Sequence, residues 1–188
     1  ESSLLSVTVS RLKGNGSESN PYLIKDRYDM KALSDLVNVS KLTLKDKYIK
    51  VIDGVTEIDL TDYSLGYMPI GTTEVPFMAN FNGKNTIFKI SFKNHEMYAG
   101  LFGFIGSDGV IENTHVDGLI EGGRLHGGIA GRNQGLIKNA SSSVNIYTDT
   151  HISQNSYAGG ITAYNEGLIM NVFNTGNRIP EESLAHIW

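Results

Sequence analysis

Ala99-Gly100-Leu101-Phe102-Gly103, Gly127-Gly128-Ile129-Ala130-Gly131 and Ala158-Gly159-Gly160-Ile161 are three versions of one phrase, and the stretch that holds them, Tyr98 to Asn177, decides the fold. Each version has a second half: Gly109-Val110-Ile111-Glu112-Asn113, Gly135-Leu136-Ile137-Lys138-Asn139 and Gly167-Leu168-Ile169-Met170-Asn171. The steps from Gly100 to Gly128 and from Gly128 to Gly160 are 28 and 32 residues. A fixed period of about 20 to 50 residues marks a solenoid, and a propeller blade needs roughly 40 or more. The apolar runs inside each copy are three to six residues long and are broken by glycine or asparagine, too short for a helix. The pattern therefore predicts an all-β fold, a right-handed parallel β-helix, with one copy per turn.

That fold assigns each recurring residue a place. Leu101, Ile129 and Ile161 are expected to stack inside the cylinder, with Ile111, Ile137 and Ile169 as a second inward ladder. Asn113, Asn139 and Asn171 lie two residues beyond that ladder, so strand alternation predicts that they face inward too and pair with one another. Glycines turn the corners, where positive φ or close backbone approach excludes a Cβ. Gly118 and Gly176 share a five-residue offset after asparagine, and Val144 takes that place in the middle copy.

Outward from the repeats, the chain reads as a single domain with a changing character. Residues 1–46 form an N-terminal strand, lead-in and capping helix; 47–97 form irregular coils; 98–177 hold the repeats; 178–188 are a tail or C-terminal cap. Fifteen of the 21 glycines fall between Gly100 and Gly176. Ser6 to Leu12 alternates as a strand, Gly14 to Asn20 is turn-rich, and Pro21 to Ile24 suits an edge strand. From Tyr28 to Asn38 the period becomes helical: Met30, Leu33, Leu36 and Val37 share a face, and Asp26 or Asp29 can cap it. An amphipathic helix ahead of a solenoid would cover the open first coil. Strands are expected at Lys47–Val51 and Val55–Leu60, and on either side of an Asn82-Gly83 turn, at Phe77–Phe81 and Thr86–Phe92. Pro180-Glu181-Glu182 resembles a first helical turn, with Leu184, Ile187 and Trp188 on one face; a fragment end is the alternative for this tail.

Composition narrows the function. The 188 residues carry a net charge of −4 with both signs mixed, without the basic stripe that nucleic acid demands. Cysteine is absent, which removes disulfides and thiolate chemistry and fits a bacterial exported protein. No apolar run approaches the roughly 20 residues of a membrane helix, and the start lacks the basic and apolar regions of a signal peptide. The chain is expected to be a mature piece or fragment that does not itself insert into a membrane.

Gly100-Leu101-Phe102-Gly103 and Gly128-Ile129-Ala130-Gly131 resemble the GLUG motif, found in tandem in bacterial surface proteins. The lead-in from Gly14 through Pro21-Tyr22-Leu23-Ile24, the helix, Ile58-Asp59-Leu60, Pro69-Ile70-Gly71 and Phe81-Asn82-Gly83 resembles the one common to such proteins. Ala163, in place of the second glycine of the third copy, departs from the motif. The resemblance implies an exported, surface-attached setting, as in adhesin-like proteins and in the N-terminal, non-peptidase regions of Gram-positive IgA-type metalloproteases.

Chemistry is harder to find. His95-Glu96 begins a zinc-protease pattern, but Ala99 stands where the second histidine belongs. His115, His126, His151 and His186 are isolated in sequence. Catalytic β-helices gather carboxylates on neighbouring coils, whereas Glu112, Lys138 and Met170 share one expected column and Asp117, Ser143 and Thr175 another. Asp53, Glu57, Asp59 and Asp62 alternate with Ile58 and Leu60 as a solvated strand face, and Asp53-Gly54 and Asp108-Gly109 are turn chemistry. No catalytic, cofactor-binding or metal-ligating residue is assigned. Tyr147, Tyr157, Tyr164 and Phe173 are candidates for a sugar or peptide platform. The expectation is a non-catalytic, extracellular module, a stiff spacer or adhesion scaffold whose partner is a host glycan or glycoprotein, or neighbouring domains of the same protein. The alternatives are the substrate-recognition region of an IgA-type metalloprotease and a polysaccharide-degrading β-helix enzyme. Differences between copies, in the loops Glu121–His126 and Tyr147–Tyr157 and at outward positions, are where function is expected.

Overall fold

A computed structural model describes residues 11–148 and 156–180. In chain order the elements are β1 (Tyr22–Ile24), α1 (Arg27–Asn38), β2 (Tyr48–Val51), β3 (Glu57–Asp59), a 3-10 turn (Tyr63–Leu65), β4 (Asn80–Ala99), β5 (Phe102–Ile105), β6 (Val110–Gly127), β7 (Ala130–Asn133), β8 (Leu136–Ser142), β9 (Asn145–Thr148), β10 (Tyr157–Gly159), β11 (Thr162–Asn165), β12 (Leu168–Asn174) and β13 (Arg178–Pro180). Every strand-to-strand pairing among these elements is parallel. Successive coils lie side by side as β1-β2-β4-β6-β8-β12, and β5, β7 and β11 form a second sheet. The molecule is a parallel β-helix.

The core is built in register from coil to coil. Ile49, Phe81, Ile111, Ile137 and Ile169 pair in one ladder, the first four almost wholly buried. Leu101, Ile129 and Ile161 line up in a second, tied by the Phe102 amide to the Ile129 carbonyl at 2.8 Å and the Ile129 amide to the Ile161 carbonyl at 2.9 Å. Phenylalanines fill part of the core: Phe77 and Phe81 each stand against Phe102, at 5.0 and 5.4 Å between ring centroids. Each such ring removes some 150–250 Å² from water.

Helix α1 covers the N-terminal end. Asp26 caps it by accepting from the Tyr28 and Asp29 amides at 2.9 and 3.0 Å. Asp29 is instead buried, accepts the Lys25 amide at 3.0 Å and pairs with Arg11 Nε at 3.0 Å; burial holds its carboxyl above the ordinary range. Met30, Leu33, Leu36 and Val37 enter the same core cluster as the ladders. Ser34 donates to the Met68 carbonyl and Asn38 to that of Pro69, at 2.8 and 2.9 Å, fixing the helix to the following coil.

Three expectations are corrected. Asn82-Gly83 does not separate two strands: β4 runs through it and pairs with β6 on both sides, and the extra residues form a bend carried by positive φ at Lys84 and Asn85. The expected inward asparagines face outward. Asn113, Asn139 and Asn171 have φ of 51°, 50° and 50°, which interrupts the two-residue alternation, so the next residues, Thr114, Ala140 and Val172, turn in. The asparagines still pair across coils, Asn171 Nδ2 donating to Asn139 Oδ1 at 2.7 Å and Asn113 Nδ2 to Asn82 Oδ1 at 3.2 Å. Third, the expected helical start at Pro180 is the end of β13, which pairs with β9 and continues the coil. The predicted Ser6–Leu12 strand up to residue 10, and the tail from residue 181, lie outside the described residues.

Candidate functional site

The glycine phrase turns the chain between two faces, and the turn sets two columns of side chains beside each other. Tyr98, Leu125 and Tyr157 pair in register ahead of the corner, and Phe104, Arg132 and Tyr164 pair in register after it. A Cβ on Gly127 would run into the Ala130 carbonyl, so the corner is as tight as glycine allows. At Gly131 a Cβ would stand 2.9 Å from Tyr98 Cβ and 3.0 Å from the Leu125 carbonyl, closing the space between the columns. The result is an outward groove of about 270 Å3 lined by Tyr98, Arg124, Leu125, Arg132, Tyr157 and Tyr164.

Its walls are aromatic and its charges are guanidinium. Arg132 lies 4.7 Å from the Phe104 ring centroid and 5.6 Å from that of Tyr164. Its Nε and Nη2 donate to Glu166 Oε2 at 2.8 and 2.5 Å, and Gln134 adds a third bond to that oxygen at 3.1 Å. These bonds hold the Glu166 carboxyl below its ordinary range and raise Arg132 further. Tyr157 and Tyr164 meet edge to face at 6.4 Å. The hydroxyls of Tyr98 and Thr73 are 3.0 Å apart. Arg124 is exposed, and no carboxylate among the described residues pairs with it.

Of the four aromatic residues singled out from sequence, the fold unites Tyr157 and Tyr164 here. Tyr147 lies on β9, in register with Glu121 and Ile179, and Phe173 lies along another groove. Arg124 lies in the Glu121–His126 stretch marked from sequence, which is strand β6 and not a loop, while residues 149–155 of the other marked loop lie outside the described residues. Tyr98 and Arg132 were missed. Their signal was positional: Tyr98, Leu125 and Tyr157 stand two residues before Gly100, Gly127 and Gly159, while Phe104, Arg132 and Tyr164 follow Gly103, Gly131 and Ala163.

The other groove, about 310 Å3, runs beside the outward asparagines and contains His115, Ser141 and Phe173 in one column. His115 Nδ1 contacts Ser141 Oγ, its Nε2 lies 3.4 Å from Ser143 Oγ, and Ser143 donates to Asp117 Oδ1 at 2.9 Å. Serine thus stands between the histidine and the aspartate, where a nucleophilic triad would join them directly. These bonds tie coil to coil. The acidic cluster is dispersed: Asp53 pairs with Lys84 at 3.0 Å, Glu57 with Lys89 at 2.9 Å and Asp62 with Arg27 at 3.4 Å. Asp59 accepts from the Thr61 amide and hydroxyl and Asp62 from those of Ser64; these bonds, and the Lys84 bond to Asp53, hold all three carboxyls below the ordinary range. Glu112 and Lys138 bridge neighbouring coils at 2.8 Å. Among the described residues no group of three or more histidine, aspartate or glutamate side chains is placed to hold a metal.

Fold and groove together define a parallel β-helix with an aromatic, guanidinium-bearing outer corner. The chain is similar to a protein of Evansella cellulosilytica provisionally described as a "Gly-rich membrane protein", 32% identical over 141 residues that cover 70% of this chain and 15% of the relative. The chain thus spans about 15% of that relative's length. No family model matches the chain, and no solved structure matches it. Among the described residues no helix is long and apolar enough to cross a membrane.

Proposed function

We propose that this chain is a non-catalytic module of a bacterial cell-surface or secreted protein: a stiff rod that holds the corner groove outward as an adhesion site for glycan or glycoprotein. One observation carries the adhesion reading, the groove in which exposed Tyr157 and Tyr164 (50% and 44% accessible) meet two arginines across three coils. Tyrosine offers a flat apolar face with a polar tip, the surface a sugar ring stacks on. The rod supplies rigidity, since coils stacked about 4.8 Å apart share continuous backbone hydrogen bonds. The surface setting is supported by the GLUG-like phrase and by the description of the bacterial relative as a membrane protein. The non-catalytic reading is supported by Asp53, Glu57, Asp59 and Glu112, each of which has a cation or donor of its own.

A glycan and glycoprotein array, probed with the chain and with its Tyr157→Ala/Tyr164→Ala variant, tests this. Binding by the parent, lost in the variant without a drop of more than about 1 kcal/mol in stability, is expected, because surface side chains away from the core contribute little to folding. A parent chain that binds nothing on the array refutes the adhesion site. Cleavage of any arrayed polysaccharide refutes the non-catalytic assignment.

A further inference from the structure

We infer that the corner groove selects an anionic sugar, its acid group on Arg124 and its ring against Tyr157 and Tyr164; this rests on the glycan reading above and narrows it. Guanidinium groups donate and cannot accept, so a groove walled by two arginines suits a ligand rich in acceptor oxygens. Arg132 is committed: it is sandwiched by Phe104 and Tyr164 and bonded twice to Glu166. Arg124 lines the same groove, is exposed, and has no carboxylate partner among the described residues. Among the described residues it is a cation without a paired carboxylate, in a chain whose net charge is −4. Glu166 shows the chemistry that the site accepts, because its carboxylate already rests on a groove guanidinium in the way a ligand's acid group would rest on Arg124. A neutral sugar would leave Arg124's donors to water, and an acidic one satisfies them next to the aromatic face. At about 270 Å3 the groove is smaller than most of the roughly 300–1,000 Å3 pockets of drug-sized ligands, so it recognises one or two sugar rings rather than a long polymer.

The test is calorimetric titration of the full chain with trigalacturonate, a sulfated disaccharide and neutral galactotriose. Binding of one or both acidic probes is expected, with galactotriose weaker by about tenfold, the worth of one charge-assisted hydrogen bond. The stronger of the two acidic probes identifies the acid group as carboxylate or sulfate. Arg124→Ala should abolish the preference while keeping weak binding, Arg124→Lys should restore part of it, and Tyr157→Ala/Tyr164→Ala should abolish binding of all three. Glu166→Gln, which removes the carboxylate beside the groove, should tighten both acidic probes and leave galactotriose unchanged. If galactotriose binds as tightly as the acidic probes, or Arg124→Ala leaves their ratio intact, the inference is wrong and the glycan reading stands. Silence of all three probes here, together with a silent array, overturns both.

Discussion

At Asn139 the backbone adopts φ 50° with the side chain in solvent, a conformation that costs most L-residues about 1–2 kcal/mol and asparagine less. Its role is therefore to turn the coil, with the amide ladder as a supplement. Asn139→Gly should leave the urea midpoint nearly unchanged, whereas Asn139→Ala should cost about 1 kcal/mol. Equal losses in both would return the side chain to a buried, bonded role. Among the described residues, the buried asparagine is Asn133, which is fully enclosed. Its Oδ1 accepts the Gly135 amide at 3.1 Å and its Nδ2 donates to Asn165 at 2.8 Å. Asn133→Ala should cost about 1–3 kcal/mol through the amide left unpaired. Sequence marked Asn139, for an inward place it does not take, and passed over Asn133. The period of two assumes extended backbone at every residue, and one residue in the left-handed region shifts all that follows.

Among elements, α1 was the most legible, because its apolar period and its aspartate cap are local signals. Asp26→Ala removes both side-chain bonds to the first-turn amides and should cost about 0.5–2 kcal/mol in chemical unfolding, with a loss of helical circular dichroism if the cap fails altogether. Strands β4 and β6 were less legible, since a strand bent through a corner looks like two strands and a turn until its neighbour's register is known. The β7–β11 pair holds the ion pair at the groove. Glu166 titrates below its ordinary value of 4.5 because Arg132 and Gln134 bond the ionised form. A lowered carboxyl stabilises the fold above its unfolded pKa, and that contribution is lost as pH falls through the lowered value. Carboxyl-carbon NMR of Glu166 should give a midpoint below 4.5, moving back toward it in Arg132→Ala. A midpoint unmoved by the substitution would detach the carboxylate from the groove.

On the scale of the whole molecule, the repeat made the β-helix legible because one period fixes the number of residues per coil, and the inward ladders follow from it. The groove was half legible. Two of its tyrosines stood out by composition, but joining them to Tyr98 and the arginines required knowing that residues about 30 apart lie in adjacent coils across a glycine corner. The same stacking predicts a gradient of stability along the rod. Residues of β4 and β6 are sandwiched between coils and include the fully buried Phe81, Phe88, Ile111 and Ile120. None of the described residues from 156 to 180 is fully buried, and Leu168, Met170 and Phe173 of β12 are 55%, 50% and 62% accessible. In a quasi-one-dimensional fold, each coil is held by its neighbours, so a coil with one described neighbour opens at lower cost than one with two. Native-state hydrogen exchange should accordingly find the β4–β6 amides opening only with global unfolding, and the β8–β12 amides opening earlier. Their order should hold as denaturant is added, with protection lost first at β12 and last at β6. Uniform protection from β4 to β12 would mean that the coils unfold as one cooperative block, and would show that coupling between coils exceeds the difference in burial along the rod.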